Sequence, residues 1–334
     1  MKESDKEKIK LENSDTSDIE KELNKKFGEG TVVRKSLKID VIPTGSFSLD
    51  RALGIGGLPV GRIVEIFGPE SGGKTTLALS IVAQIQKSNG NVGYIDAEQA
   101  LDPNYAKSLG VKFSDMILTQ PSIAEDALNI MLMMIQSRKF RVVILDSTAS
   151  MTTRSELEGD IGDHSMAVKA RLMSQALRLI NHAAAETGTI AIFINQVREN
   201  IGVTWGSKET TPGGRAVRFA ASVRIDVRRM STLKENDIPV GILVKAKVVK
   251  NKVAPPYKEA EYYLIFGKGI SVPMDVFNTA LSEDVIKKDG NTYYFGEEKI
   301  GVGIKKCTEE LENNKKLMDD IIEKIRVKDA ESSK

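Results

Sequence analysis

Ile63-Val-Glu-Ile-Phe-Gly-Pro-Glu-Ser-Gly-Gly-Lys-Thr75 joins an apolar run to a glycine-rich turn and points to an α/β fold. Its first five residues form a short, mostly apolar strand. Its last eight fit the phosphate-loop pattern GxxxxGK[ST], with Gly68, Gly73, Lys74 and Thr75 in place. Thr76 and the amphipathic run Leu77, Ile81, Val82, Ile85 follow as a helix. A strand that turns through glycines into a helix lets backbone N–H groups wrap a phosphate chain, and the helix N-terminus adds positive potential there. Gly68, Pro69, Glu70, Ser71, Gly72, Gly73, Lys74, Thr75 and Thr76 are therefore candidate ATP-binding residues. Lys74 is placed to reach the β and γ phosphates, and the Thr75 hydroxyl to ligate Mg²⁺.

Short apolar runs predict strands over 62–67, 91–95, 116–119, 141–146 and 189–195. They do not alternate, as in a parallel sheet covered on both faces. Helical spacing between them, near 75–87, 123–137 and 165–186, gives a βαβ series and a doubly wound, mostly parallel α/β core. After residue 220 the texture changes. Val223, Ile225 and Val227 alternate with Arg224, Asp226 and Arg228, and Val240, Ile242, Val244, Ala246 and Val248 repeat the period. These read as antiparallel strands with one wetter face. The expected organisation is an N-terminal arm with an oligomerisation helix over 1–40, an ATPase core with DNA-binding loops over 41–270, and a small C-terminal α+β domain with tail over 271–334. Residues 1–18 are charged, lack periodicity and are expected to be disordered. Ile19, Leu23 and Phe27 predict a short helix stopped by Gly28 and Gly30. Its apolar stripe suits either its own domain or a neighbouring subunit.

Composition narrows the chemistry. The chain has 48 basic and 46 acidic residues, so any nucleic-acid surface must be a local patch. One cysteine, Cys307, and two histidines, His164 and His182, exclude a disulfide framework, a cysteine zinc site and a His-rich metal centre. The charged N-terminus lacks the apolar segment of a secretory signal, and no apolar run reaches membrane-spanning length. A cytoplasmic location is the expectation.

Arg141-Val-Val-Ile-Leu-Asp146 is an apolar strand ending in a carboxylate, the usual second half of an ATPase site, where the aspartate holds Mg²⁺ through water. Tyr94-Ile-Asp-Ala-Glu98 sets two acids, Asp96 and Glu98, at another strand's carboxyl end, where doubly wound sheets bind ligands. Either could be a solvated loop acid. Spacing favours Glu98 as the group that activates water. Two loops also stand out. Residues 158–167 carry glycines, charges and a histidine. Residues 198–214 hold Gly202, Gly206, Gly213, Gly214, Arg198, Lys208 and the only tryptophan, Trp205. Long aperiodic loops inside an α/β core are functional or disordered. Arg171, Ser174 and Arg178 share one helix face, which suits either solvent or a phosphate backbone.

Taken together, GPESGGKTT (68–76), YIDAEQALDP (94–103), EGDIGDHSMA (158–167), FINQVR (193–198) and VVKNK (248–252) resemble bacterial RecA in order and spacing, from about Ile19 to about Lys305. The resemblance implies a RecA-like P-loop ATPase with cofactors ATP and Mg²⁺. It also implies a role in recombination, repair and the SOS response, as a homo-oligomeric helical filament on single-stranded DNA that pairs with homologous double-stranded DNA. Lys74, Thr75 and Asp146 fall on the family's nucleotide and Mg²⁺ positions, and Glu98 on its catalytic glutamate. Asp102 and Tyr105 fall on its adenine contacts, and Gln196 on its γ-phosphate sensor. Lys250 and Lys252 correspond to lysines that reach a neighbour's ATP in trans. Arg171, Ser174, Arg178, Arg198, Gly213 and Gly214 match DNA-backbone contacts, and Phe219 matches a subunit-interface residue. Some positions depart from the family. His164-Ser165 inverts the usual order, so His164 is given no role. Ser231 and Lys245 stand where the family often has Gly and Arg, which leaves a repressor coprotease partnership open. Residues 305–334 hold eight basic and eight acidic residues rather than an acidic tail. A ring-shaped ATP-driven motor and a non-hydrolysing DNA coat are the rival readings. The paired loop motifs argue against the first, and intact Lys74, Glu98 and Asp146 against the second.

Trp205 lies among Thr204, Gly206, Ser207 and Lys208, which offer no apolar face to join. It is expected to be exposed in the free protein and to become ordered with ATP and single-stranded DNA. Its fluorescence should respond to single-stranded DNA, and more strongly with an ATP analogue than with ADP. A blue, quencher-resistant emission that ignores both ligands would place Trp205 in a core and remove this loop assignment.

Overall fold

The continuous apolar runs become strands whose alternate side chains enter two different cores. The computed structural model describes residues 16–29, 31–32, 39–160, 166–199, 209–210 and 215–332. It divides into two units, Met1–Ile39 and Asp40–Lys334. In the first, helix α1 (Ser17–Phe27) ends at Gly28, whose φ of 103° lies in the region that favours glycine. Asp18 and Glu20 in its first turn and Lys25 and Lys26 in its last suit the helix dipole. Residues 17 and 18, expected to be disordered, are helical, and Asp18 in that first turn complements the positive end of the helix dipole. The remaining expectation of disorder, over 1–15, lies outside the described residues.

The second unit runs β1 (Val41–Ile42), α2 (Phe47–Ala52), β2 (Leu58–Pro59), β3 (Ile63–Gly68), α3 (Lys74–Lys87), β4 (Val92–Asp96), α4 (Pro103–Ser108), β5 (Met116–Thr119), α5 (Ala124–Gln136), β6 (Val142–Asp146), α6 (Arg154–Glu158), α7 (Met166–Thr187) and β7 (Ile190–Gln196). After β7 come the short pair β8 (Arg198–Glu199) and β9 (Glu209–Thr210), then α8 (Arg215–Ala220), β10 (Val223–Glu235), β11 (Ile238–Asn251), β12 (Glu259–Ile265) and β13 (Gly269–Ile270). The chain closes with α9 (Val272–Ser282), β14 (Ile286–Asp289), β15 (Thr292–Phe295), β16 (Glu298–Val302), α10 (Ile304–Asn313) and α11 (Lys315–Ser332).

Among the described residues the main sheet has nine strands in the order β13-β12-β11-β10-β3-β7-β6-β4-β5. Neighbours from β10 to β5 are parallel, and β10 to β13 are antiparallel. Val142 and Ile144 of β6 enter the core that α3 covers, whereas Val143 and Leu145 enter the core under α5 and α7. Ile190, Ile192 and Ile194 of β7 divide from Ala191 and Phe193 in the same way. Two-sided burial of this kind explains why these strands show no alternation in sequence.

In β10, Val223, Ile225 and Val227 are fully buried on the α3 side as expected. Arg224 departs from its expected wet face: it is only 9% exposed. Its guanidinium pairs with the fully buried Glu65 of the adjoining strand β3 and lies 4.4 Å from the centroid of the Phe67 ring. Alternation shows which face a residue takes. It does not show that a parallel neighbour supplies a counterion there. Among the described residues no helix is long and apolar enough to cross a membrane.

The α9–α11 segment has its own apolar cluster, centred on Phe277, Tyr293, Cys307, Leu311 and Ile321, with Phe47 of α2 packed against it. The seam with the core is polar. Ser46 Oγ donates to Asp275 Oδ2 at 2.7 Å, and the Thr44 N–H and hydroxyl both donate to Asp50 Oδ1 at 2.8 Å. Arg51 joins α2 to Asp329 at 2.6 Å and to Glu283 at 2.7 Å.

Burial raises the Asp50 carboxyl to about 7, against the Thr44 hydrogen bonds and with repulsion from Asp275 adding to it. Burial also raises Asp275. Both groups hold protons more tightly in the native state than in the unfolded chain, so stability falls as pH rises from about 4 through 7. Asp50→Asn keeps an oxygen acceptor for Thr44 and removes one titration. In urea unfolding, the slope of free energy against pH between 5 and 7 should flatten by roughly 1 kcal/mol per pH unit. An unchanged slope would clear Asp50 of this effect.

Candidate nucleotide and nucleic-acid sites

The loop between β3 and α3 is shaped by close backbone approach. A Cβ on Gly68 would stand 2.1 Å from the Val227 carbonyl oxygen of β10, and one on Gly73 would stand 2.6 Å from Leu264 Cδ1. Gly73 also has φ 95° as it enters α3, which a side chain resists. At Gly68 the clash is with backbone, so a side chain there would require β10 to move; at Gly73 it is with the tip of the Leu264 side chain, and the positive φ is the firmer constraint. Lys74 Nζ donates to the Pro69 carbonyl at 2.7 Å, so the lysine folds back over its own loop. Burial lowers its pKa, while Asp146, Glu98 and Glu70 oppose that shift.

Three strand ends converge beside this loop. Asp146 closes β6, and its Oδ2 accepts from Thr75 Oγ1 at 2.9 Å and from Tyr94 Oη at 2.8 Å. Its backbone carbonyl accepts from Ala97 N at 2.7 Å and Glu98 N at 3.3 Å, which fixes the turn after β4. Burial raises the Asp146 carboxyl to about 6, with the two hydroxyl donors opposing and Glu98 and Asp96 adding to the rise. The Thr75 hydroxyl and Asp146 carboxylate thus share one point. Mg²⁺ needs few protein ligands and keeps its own waters, so the pair fits it. Among the described residues no cluster of three or more His, Cys, Asp or Glu could hold a metal alone.

Glu98 Oε1 accepts from Ser147 Oγ and, at 3.0 Å, from Gln196 Nε2. Asp96, its rival in the sequence, is engaged elsewhere: its Oδ2 accepts from Leu101 N at 3.1 Å and Gln120 Nε2 at 3.0 Å, and it is 2% exposed. Asp102 caps α4 by accepting from Asn104 N and Tyr105 N, and Tyr105 Oη meets Thr76 Oγ1 at 2.8 Å. A cavity runs from Ser71–Thr76 past Tyr105 to Ile242, Leu264 and Phe266. It offers a polar end at the loop and an apolar end at β11 and β12.

Lys250 and Lys252 lie apart from this group. Lys250 Nζ donates to the carbonyls of Arg218 at 2.8 Å and Phe219 at 3.0 Å, at the end of α8, while the Lys252 side chain is exposed. Phe219 is 67% exposed. On α7, Arg171, Ser174 and Arg178 share an exposed groove with Ala170 and Gln175, opposite the buried Met173, Leu177 and Ile180. Arg198 starts β8 directly after the β7 end. Gly213, Gly214, Trp205 and His164 lie outside the described residues. The sequence reading missed Tyr94, Ser147 and the Glu65–Arg224 pair. Tyr94 was hidden because a fully buried tyrosine inside an apolar strand looks like core filling.

Family profiles match nearly the whole chain: the one described as RecA N-terminal domain over residues 16–271 and the one described as RecA C-terminal domain over residues 274–329. Protein RecA of Thermus aquaticus is 49% identical over 310 residues, which cover 91% of each chain. Protein RecA of Clostridioides difficile is 47% identical over 326 residues, 96% of this chain and 92% of that relative. A crystal structure of the RadB recombinase matches with a TM-score of 0.53 at 23% identity, covering 69% of this chain and 98% of that one. At that identity the likeness shows the fold alone.

The buried Tyr94 hydroxyl has a direct test. Tyr94→Phe leaves Asp146 with one donor fewer in a desolvated place. It is expected to cost about 1–2 kcal/mol of stability in chemical unfolding at pH 8. A variant as stable as the parent would mean that the Thr75 hydroxyl alone satisfies this carboxylate.

Proposed function

The chain belongs to the RecA family of recombination and repair proteins, and from that premise we propose an ATP-driven strand-exchange activity carried out as a filament. In this reading ATP binds with its phosphates on Gly68–Thr76 and its base beside Asp102 and Tyr105. Lys74 holds the β and γ phosphates. Thr75 and Asp146 hold Mg²⁺, which supplies charge neutralisation of the phosphates when bound. Glu98 orients and deprotonates the attacking water, with Ser147 fixing its carboxylate. Lys250 and Lys252 reach the ATP of a neighbouring subunit, with Phe219 in the same interface. Arg171, Ser174, Arg178, Arg198, Gly213 and Gly214 contact the DNA backbone, so that base pairing rather than side chains reads homology. We assign residues 1–40 to an arm that docks between subunits, 41–270 to the motor and 271–334 to an accessory domain, in a cytoplasmic protein.

The observation that carries this reading is the Gln196 Nε2 to Glu98 Oε1 hydrogen bond at 3.0 Å. Gln196 is the last residue of β7, and the glycine-rich loop 198–214 leaves from it. One side chain therefore joins the hydrolytic carboxylate to the root of the DNA loop. Occupancy of one site alters the other through that bond, and the coupling must be reciprocal.

The test is ATPase turnover with and without single-stranded DNA, beside images of the protein–DNA complex. The parent should show stimulated turnover and helical filaments. Lys74→Ala should abolish both while remaining folded. Glu98→Gln should bind ATP and DNA but lose turnover by about 10²-fold or more. Gln196→Ala should bind each ligand with neither tightening the other. Closed rings, or near-parental turnover in Glu98→Gln, would overturn this assignment.

A further inference from the structure

Glu65 sits in the middle of the P-loop strand, fully buried, and no step proposed above uses it. Its ladder partners are Phe193 on β7 and Arg224 on β10. Its two carboxylate oxygens are divided between those neighbouring strands. Oε2 accepts from Arg224 Nε, and Oε1 accepts from Asn195 Nδ2 at 3.2 Å. Asn195 immediately precedes Gln196, and its Oδ1 accepts from the Gln196 N–H at 3.1 Å. On the other side, Arg224 is the ladder partner of Lys250 on β11. Burial lowers the Lys250 pKa first, Lys252 and Arg224 lower it further, and Glu65 opposes them. Glu65 is thus the anion that balances a cluster of cations reaching to the β11 lysines.

A core that needed only filling would place apolar residues here, since a buried ion pair is no better for stability than well-packed hydrophobic side chains of similar size. What an ion pair adds is fixed geometry. Here the fixed groups lie two hydrogen bonds from the Gln196 N–H, through Asn195, and one ladder step from Lys250. We propose that Glu65 and Arg224 are positioning residues that tie Gln196 to Lys250, so that the γ-phosphate end of one subunit's site and the lysines facing the next subunit move together. The inference rests on the roles given above to Gln196 and Lys250.

The experiment compares the parent with Glu65→Gln and with the charge-free double variant Glu65→Leu/Arg224→Met. The double variant removes both charges at once, so it folds even where the single variant does not. Each protein is measured for thermal midpoint, affinity for a fluorescent ATP analogue, DNA-independent turnover and turnover against single-stranded DNA concentration. The double variant should keep a parental midpoint, analogue affinity and DNA-independent turnover, and lose DNA stimulation by about tenfold, within the usual range of site-to-site coupling. A merely structural pair would change the midpoint and leave the stimulation ratio alone. Full stimulation in the folded double variant overturns the inference by itself. Absence of stimulation in the parent overturns the underlying reading, and the inference with it, and shows in the parental measurement alone.

Discussion

The Asp146 carboxylate and carbonyl together hold the carboxyl-terminal edge of the parallel sheet beside the phosphate-loop motif. The carboxylate accepts from Thr75 on the first turn of α3 and from Tyr94 in β4, and the carbonyl accepts from the amides of Ala97 and Glu98. One residue at the end of one strand therefore fixes the start of the phosphate helix and the turn that presents Glu98. The arrangement requires Asp146 to be 6% exposed, which raises its pKa and makes its two hydroxyl donors necessary rather than incidental. Parallel strands make the convergence possible, because their carboxyl ends all open on one edge.

On the far side of the P-loop the constraint is steric. Gly68 lies so close to the Val227 carbonyl that no side chain fits, and Gly73 lies against the tip of the Leu264 side chain. The antiparallel extension is thus a wall of the cavity beside the loop as well as the carrier of Lys250 and Lys252. Any shift of β10 and β11 against β3 is felt at the loop that would hold the phosphates.

The sequence made the main architecture readable because its signals are local. The five strands and three helices expected from apolar runs appear within about two residues of their expected ends, since two-sided burial writes itself into contiguous residues. The phosphate loop was legible for the same reason. Contacts made across strands were not. Tyr94 reaches Asp146 and Ser147 reaches Glu98 over sequence separations of 52 and 49 residues, and Arg224 reaches Glu65 over 159. No periodicity encodes such pairs. The choice of Glu98 over Asp96 was settled by the family resemblance; the engagement of Asp96 by Leu101 and Gln120 is displayed only by the folded loop. Arg224 was misplaced because alternation gives a face and not its contents. The family resemblance supplied roles for Lys250 and Lys252 that spacing alone would have read as an ordinary strand edge.

Strand order also bears on how the chain is made. β3, which carries the phosphate loop, lies between β7 and β10 and pairs with no earlier strand of the sheet. Its first partner, Ile190–Gln196, leaves the ribosome some 130 residues after it, which at ordinary elongation rates is about 6–25 seconds. Through that interval the apolar strand Ile63–Gly68 has both hydrogen-bonding edges unfilled by its native neighbours. A nascent chain of this topology carries that unpaired apolar strand until past the midpoint of its synthesis, the condition under which an open strand edge most invites pairing with another chain.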